Sequence, residues 1–550
     1  MLIYQSVITA VLAALLLNTL NNLRLLHRPP IRPAPADGPL VSILVPARNE
    51  ARSIARCVIS LARQTYPRCE VLVLDDESED ATASIVGRLA QRYANVRLLR
   101  GAPLPPGWHG KAWACQQLGL EARGEWLLFV DADTVLVREC VATTLETAQA
   151  RRADLLTLIP WLETGSIGEA LLVATQPQTF AGLLPQGLVM SQRWPGVAGA
   201  LGKFLLFRRE TYLRCGGHEA VRADIVEDLA LGRVVKRYHG RLVWIDGTAL
   251  VRARPYAGLR EAWRGIGKGS FAAINYSLAA MVPGLAFVAA VMLAPYGFAI
   301  AGIVTGVSTG QADAALLWLP LAQVALLMVS FALIVWRFKL PRSILFLQAA
   351  MTLTTILVTL DSAYHVTRGD GVAWKGRTYR FGGARRTGRR AWVVAALAAV
   401  RLAIVVVLVP LGWQWGQAEL SLAAILTLVA GTCAVLEYTG ARDRRSRLTP
   451  VADVGWCAAA LIYLQLDALL PLGMVVVAAL VALAGTLLLS WRAGVVSAGA
   501  LLGGTVVLAA GMAMPQLDAV ALVWALWALV LSRRAMAHLV GPWLERFHSP

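Results

Sequence analysis

The chain has 550 residues, of which 57% are hydrophobic and only 16% charged, against roughly 25% charged in ordinary soluble domains. That balance excludes a soluble globular chain, a disordered chain and a secreted disulfide scaffold, and leaves an integral membrane protein. Lys and Arg outnumber Asp and Glu by 52 to 34, for a formal net charge of +18. In a membrane protein this excess marks cytoplasmic loops and attraction to anionic lipid, and no nucleic-acid module accompanies it.

Residues 1–20 are apolar, and Arg24, His27, Arg28 and Arg32 follow them rather than precede them. A cleavable signal peptide has the opposite charge order. Residues 1–22 are therefore expected to be an uncleaved transmembrane anchor with its N-terminus outside, followed by a Pro-rich linker over 29–39. Apolar runs of strand length at 41–45, 71–74, 126–130 and 155–159 then alternate with helical patterns at 53–63 and 82–93. That alternation predicts a doubly wound α/β sheet in a domain spanning 36–270. Ligands of such sheets bind beyond the carboxyl ends of the strands.

From residue 279 the chain is mostly long apolar stretches. Those at 279–303, 315–336 and 343–364, and six more between 391 and 532, approach the ~20 residues that span hydrocarbon. Counting basic loops predicts a further domain over 391–550 with six spans and both ends in the cytoplasm. Within 271–390 the stretch 343–364 breaks parity, because Arg337, Lys339 and Arg342 before it and the basic run 375–390 after it favour the same side. With Gln348, four threonines and Asp361 inside it, it is expected to be re-entrant or interfacial. The seven cysteines show no CxxC and no zinc spacing, and read as reduced thiols.

Three polar clusters stand at strand ends. Asp131-Ala132-Asp133 directly follows a fully apolar strand, where two carboxylates at i and i+2 can share one divalent ion and a nucleotide diphosphate. Asp75-Asp76, with Ser78 and Asp80, holds the same place after 71–74; by itself it would be a loop and helix cap. Val45-Pro46-Ala47-Arg48-Asn49-Glu50 is the third. Glu227-Asp228 opens a helical pattern, so the pair either balances a helix dipole or supplies a general base. Gly110-Lys111 is not a phosphate loop: Pro105 stands where that loop needs Gly, and Ala112 where it needs Ser or Thr. Lys111 at a helix start is still a candidate diphosphate contact. His109, His218 and His239 lack ligand spacing and read as structural.

The ordered set VSILVPARNEARSI, VLVLDDESEDAT, GKAWA, WLLFVDADT, GGHEAVRADIVEDLALG and the late WKGRTY (374–379) resembles the membrane-bound family 2 glycosyltransferases. More narrowly it resembles the hopanoid-associated and carotenoid glycosyltransferases, and more distantly ceramide glucosyltransferase. The likeness runs over about residues 1–381. It implies a GT-A fold, a nucleotide-sugar donor, expected to be UDP-linked, and inversion at the anomeric carbon. By the family's pattern Pro46, Asn49, Glu50, Asp75 and Asp76 match donor-nucleotide positions. Asp131 and Asp133 match the pair that holds Mg²⁺ or Mn²⁺ and the diphosphate, and Asp228 matches the base.

Processive members of that family carry Gln-x-x-Arg-Trp after the base. Here the stretch reads Leu259-Arg-Glu-Ala-Trp-Arg-Gly-Ile-Gly-Lys268, which departs from a polymer synthase. Its mix of Arg260, Arg264 and Lys268 with Leu259, Trp263 and Phe271 suits an interfacial helix. The expected activity is transfer of a single sugar to the hydroxyl of a membrane lipid at the cytoplasmic face of the cell membrane. A processive polysaccharide synthase and a nucleotide-binding scaffold or transporter are the alternatives. Residues 391–550 fall outside the resemblance and read as lipid-facing scaffold.

Overall fold

The computed structural model describes residues 2–35, 37–194, 196–310, 314–368, 372–375 and 377–379. The six spans expected over 391–550 lie outside the described residues. The chain opens with helix α1 (Leu2–Leu25) and then builds β1 (Val41–Ala47), α2 (Ile54–Ala62), β2 (Cys69–Asp75), α3 (Thr82–Arg92), β3 (Val96–Arg100), α4 (Gly110–Glu121), β4 (Trp126–Val130), β5 (Thr134–Leu136), α5 (Cys140–Ala150), β6 (Leu155–Ile159) and β7 (Trp161–Leu162). After several short helices come β8 (Phe204–Arg208), α6 (Glu227–Arg237), β9 (Leu242–Asp246), β10 (Val251–Ala253) and α7 (Leu259–Ser270). Four longer helices follow, α8 (Leu278–Met292), α9 (Ala294–Thr309), α10 (Leu319–Arg337) and α11 (Gln348–Arg368), then the hairpin β11 (Val372–Trp374) and β12 (Arg377–Tyr379).

Seven strands form one mixed sheet in the order β3-β2-β1-β4-β8-β6-β9. All pairs are parallel except those of β8, which runs antiparallel between β4 and β6. This is the doubly wound α/β sheet that the alternating pattern predicts. Its central strands are nearly continuous apolar runs because both faces are covered. On β1, Val41, Ile43 and Val45 pack into the core shared with α2 and α5, while Leu44 enters the core on the other face with α4. Helix α2 buries Ile54, Cys57, Val58 and Leu61, the i, i+3, i+4, i+7 stripe of a helix lying on a sheet.

The chain lays down β1, β2 and β3 outward on one side, then returns to place β4 against the other side of β1. The topological switch therefore falls between β1 and β4, and the crevice outside their carboxyl ends is where a ligand is expected. The small sheet β5-β10-β7 stands beyond those ends.

Among the described residues, four helical segments are long and apolar enough to cross a membrane: Leu2–Leu25, Leu278–Ser308, Ala315–Arg337 and Arg342–Thr367. The protein is a membrane protein. The stretch expected as one helix over 279–303 is interrupted at Leu293, with Pro295 near the start of α9, where a proline lacks the N–H to continue a helix. The segment expected to be re-entrant or interfacial forms one uninterrupted helix, α11. Its threonines direct their hydroxyls to carbonyls one turn back, and Asp361 accepts from Trp263 Nε1 at 2.8 Å. The polar side chains are thus used within and between helices.

Membrane helices and sheet share one core: Leu26, Phe331, Ile334, Val335 and Phe338 join Leu127, Phe207 and Trp244. The junction is pinned by Asp246, fully buried at the end of β9, which pairs with Arg28 at 2.9 Å and Arg337 at 2.7 Å. Helix α7 is amphipathic as expected, but Trp263 and Ala262 are buried against Leu172 and Val358 rather than left for lipid.

Candidate active site

Asp131 and Asp133 leave the end of β4 on the switch side. Lys203, the residue before β8, places its ammonium 3.1 Å from Asp131 Oδ2 and 2.6 Å from Asp133 Oδ2. Lys111, in the first turn of α4, lies 2.8 Å from Asp131 Oδ1 and 2.8 Å from Glu227 Oε1. One lysine thereby ties the strand-end pair to the start of α6. Burial opposes the charge on Asp131, but the ammonium groups of Lys111 and Lys203 overcome it and hold its carboxyl below the usual range. Burial likewise works against both lysines, and their carboxylate neighbours keep them above the ordinary lysine value.

Asp228 is the second residue of α6. Its Oδ2 accepts from the Gly202 N–H at 2.7 Å and its Oδ1 from the Leu229 N–H at 2.8 Å. A Cβ at Gly202 would stand 3.1 Å from Asp228 Oδ2 and 2.9 Å from Lys111 Nζ, so a larger residue there would displace both side chains. Burial, then the neighbouring Glu227 carboxylate, push the Asp228 carboxyl up to about 6. Glu227 goes the other way, since Lys111 outweighs its burial. Two adjacent carboxylates are split by one lysine, and the one left more basic is Asp228.

The other strand ends form a second group. Asp75 is buried, takes one hydrogen bond from Arg100 Nη1 at 2.9 Å and keeps Oδ1 buried without a partner. Asp76 is held bidentately by Arg377, at 2.5 and 3.1 Å. Glu50 pairs with Lys375 at 3.1 Å, and burial raises its carboxyl despite that lysine. Asn49 adopts a left-handed backbone, φ 52°, which asparagine tolerates better than most residues. Its amide oxygen accepts from the Glu79 N–H at 2.9 Å and its own N–H donates to Ser78 Oγ at 3.0 Å. Asn49 thus ties the β1 loop to the β2 loop. Pro46 lies in β1 opposite Leu74.

The structure brings Asp131, Asp133, Lys111, Glu227 and Asp228 into one cluster and sets Asn49, Glu50, Asp75 and Asp76 beside it. Sequence reasoning passed over Lys203, which precedes a strand with no motif around it. It also assigned no role to Lys375 and Arg377, although WKGRTY was visible as a block. Lys268, read from sequence as part of an interfacial helix, faces the cluster from α7: burial lowers its pKa, and the charges it senses most are Glu227 and Lys111. His218 is buried, meets Tyr212 Oη at 2.9 Å, and burial lowers its pKa to about 3.

Among the described residues no group of three or more His, Cys, Asp or Glu side chains is placed to hold a metal ion. Asp131 and Asp133 nevertheless converge on a single cation, the Lys203 ammonium. Two carboxylates aimed at one point suit Mg²⁺ or Mn²⁺ that takes its remaining oxygens from phosphate and water.

Residues 42–214 match the glycosyl transferase family 2 model. Curated relatives include a 4,4'-diaponeurosporenoate glycosyltransferase of Staphylococcus haemolyticus, 26% identical over 229 residues, covering 40% of this chain and 60% of the relative. The enzyme of the same name from Staphylococcus aureus is 28% identical over 231 residues, 40% of this chain and 59% of its own. The chain thus matches about 60% of the length of these relatives. Among solved structures, a mannosyltransferase of Pyrobaculum calidifontis in complex with GDP-Man and Mn²⁺ is 18% identical, covering 66% of this chain and 99% of its own, with a TM-score of 0.39.

Proposed function

We propose that the protein transfers one sugar from a nucleotide-sugar, UDP-linked, to the hydroxyl of a membrane lipid, with inversion, at the cytoplasmic face of the cell membrane. The observation that carries this reading is Asp228: a buried carboxylate raised to about 6 and fixed by two backbone N–H groups beside the strand-end aspartates. A hydroxyl is a poor nucleophile at neutral pH, and a carboxylate with this affinity for a proton is suited to take one as the new bond forms. The curated relatives are named for diaponeurosporenoate, a carboxylate, which has no proton to lose at neutral pH. A base of raised pKa therefore favours a hydroxyl acceptor here.

The donor's nucleotide would lie over Pro46, Asn49 and Glu50, with the unpartnered Asp75 Oδ1 available to an N–H of the base. Asp131 and Asp133 would hold Mg²⁺ or Mn²⁺, which supplies positive charge against the leaving diphosphate. Lys111 adds a cation beside the same pair, so charge arriving on the leaving group meets a donor already oriented. The other carboxylates of the cluster are engaged by lysines, which leaves none free as a covalent nucleophile and supports a single inverting displacement. The basic residues Arg28, Arg337 and Lys339, at the ends of α1 and α10 nearest the sheet, support a cytoplasmic location.

Membranes containing the protein, incubated with labelled UDP-sugars and extracted with organic solvent, should carry label in the lipid phase. Label in an insoluble polymer would instead favour a polysaccharide synthase, and label in neither phase a nucleotide-binding scaffold.

A further inference from the structure

A groove of about 680 Å³ lies between the outer face of α2 and the small sheet β5-β10-β7, and Arg56, Arg138, Arg252 and Arg254 are among its lining residues. Two acids also line it, and both are already engaged: Asp133 by Lys203 at 2.6 Å and Glu163 by Arg252 at 3.7 Å. Arg56, Arg138 and Arg254 have no carboxylate partner among the described residues. Three guanidinium groups held around one concavity without counter-charge repel one another, and an anion that accepts from several of them removes that cost. Guanidinium forks suit the oxygens of a phosphate, which they bind bidentately.

The place of the groove indicates where that phosphate comes from. The small sheet and the turn that leads into β10 meet the ends of two membrane-crossing candidates. Lys339, just after α10, stands over the Trp161 ring of β7 at 5.2 Å and donates to the Thr248 carbonyl at 3.3 Å. Arg28, just after α1, donates to Thr248 Oγ1 at 2.9 Å. β10 continues through Arg254 into the amphipathic α7. One wall of the groove thus belongs to the sheet on which Lys339 rests, and basic side chains close to the ends of membrane-crossing helices attract anionic lipid.

We propose that this groove binds the phosphate headgroup of an anionic membrane phospholipid, in a site that borders the strand-end pair at Asp133. Arg254 also connects it to the strand-end pair, since its backbone N–H points to the Asp133 carbonyl at 3.4 Å.

The test uses the full chain in detergent, with retained lipid counted by native mass spectrometry after addition of phosphatidylglycerol or phosphatidylcholine. The wild type should retain phosphatidylglycerol in preference to phosphatidylcholine. The variant Arg56→Ala/Arg138→Ala/Arg254→Ala should retain at least about tenfold less. A milder pair, Arg138→Gln/Arg254→Gln, should lose most of the retention if the triple variant unfolds. A control at exposed arginines elsewhere, Arg123→Ala/Arg214→Ala, should retain lipid as the wild type does. Equal retention by wild type and groove variants, or equal retention of the two lipids, would overturn the proposal. Displacement of phosphatidylglycerol by millimolar inorganic phosphate would overturn the lipid source and assign the groove to the free ion. The readout needs no turnover, so it stands or falls apart from the proposed sugar transfer.

Discussion

The Lys203 ammonium lies 2.6 Å from Asp133 Oδ2 and 3.1 Å from Asp131 Oδ2, so one side-chain cation joins both carboxylates of the strand-end pair. All three groups are at most a fifth exposed. Removing one partner from a buried ion pair leaves uncompensated charge and costs about 3–5 kcal/mol. Lys111 still balances Asp131, which puts Lys203→Met at the lower end. A divalent ion between the same oxygens should restore much of that loss. Thermal unfolding in EDTA and in Mn²⁺ reads this out: the midpoint of Lys203→Met should rise more with Mn²⁺ than that of the wild type. Equal responses would argue against a metal on Asp131 and Asp133.

Arg377 reaches Asp76 from the hairpin that follows the last described membrane helix. Arg377→Ala leaves a buried carboxylate without its bidentate partner in the expected donor site. UDP affinity, measured by calorimetry, should fall by about tenfold or more. Arg377→Lys should recover only part of it, because an ammonium cannot supply the two parallel bonds. Unchanged affinity in both variants would remove the hairpin from the donor site.

Asp246 joins the two ends of the membrane region to the sheet through Arg28 and Arg337. Asp246→Ala strands two guanidinium groups at once, and should lower stability by about 3 kcal/mol or more. Arg28→Ala should cost less, since Arg28 is 38% exposed and Arg337 stays paired with the aspartate. Unfolding midpoints of the two variants should fall in that order, and the reverse order would contradict the pinning role.

The sheet was legible because fully covered strands are written as unbroken apolar runs, and the crevice because chemistry-bearing residues stood at the ends of those runs. Asp131, Asp133 and Asp228 were found this way or through family pattern. Lys203 was not, because a single lysine before a strand carries no spacing; only the fold brings it across to β4. Arg377 and Lys375 were visible as part of a block but could not be assigned a contact 300 residues away in sequence. The threonines of α11 read as polar in sequence, whereas in the helix each returns its hydroxyl to the backbone. Counting charge periodicity on α7 could not reveal that protein rather than lipid covers Trp263.

The account rests most heavily on Asp228 as the base. Its folded pKa, raised to about 6, means the carboxylate is ionised and able to accept a proton above that pH and is neutral below it. Transfer by the full chain in lipid discs, measured as labelled sugar entering the organic phase between pH 5 and 8, should therefore fall as pH drops through about 6. Asp228→Asn should keep donor binding, lose about 10²–10⁴-fold in transfer and lose that acid limb. An Asp228→Asn protein that transfers sugar at the wild-type rate, with the same fall below pH 6, would contradict the account.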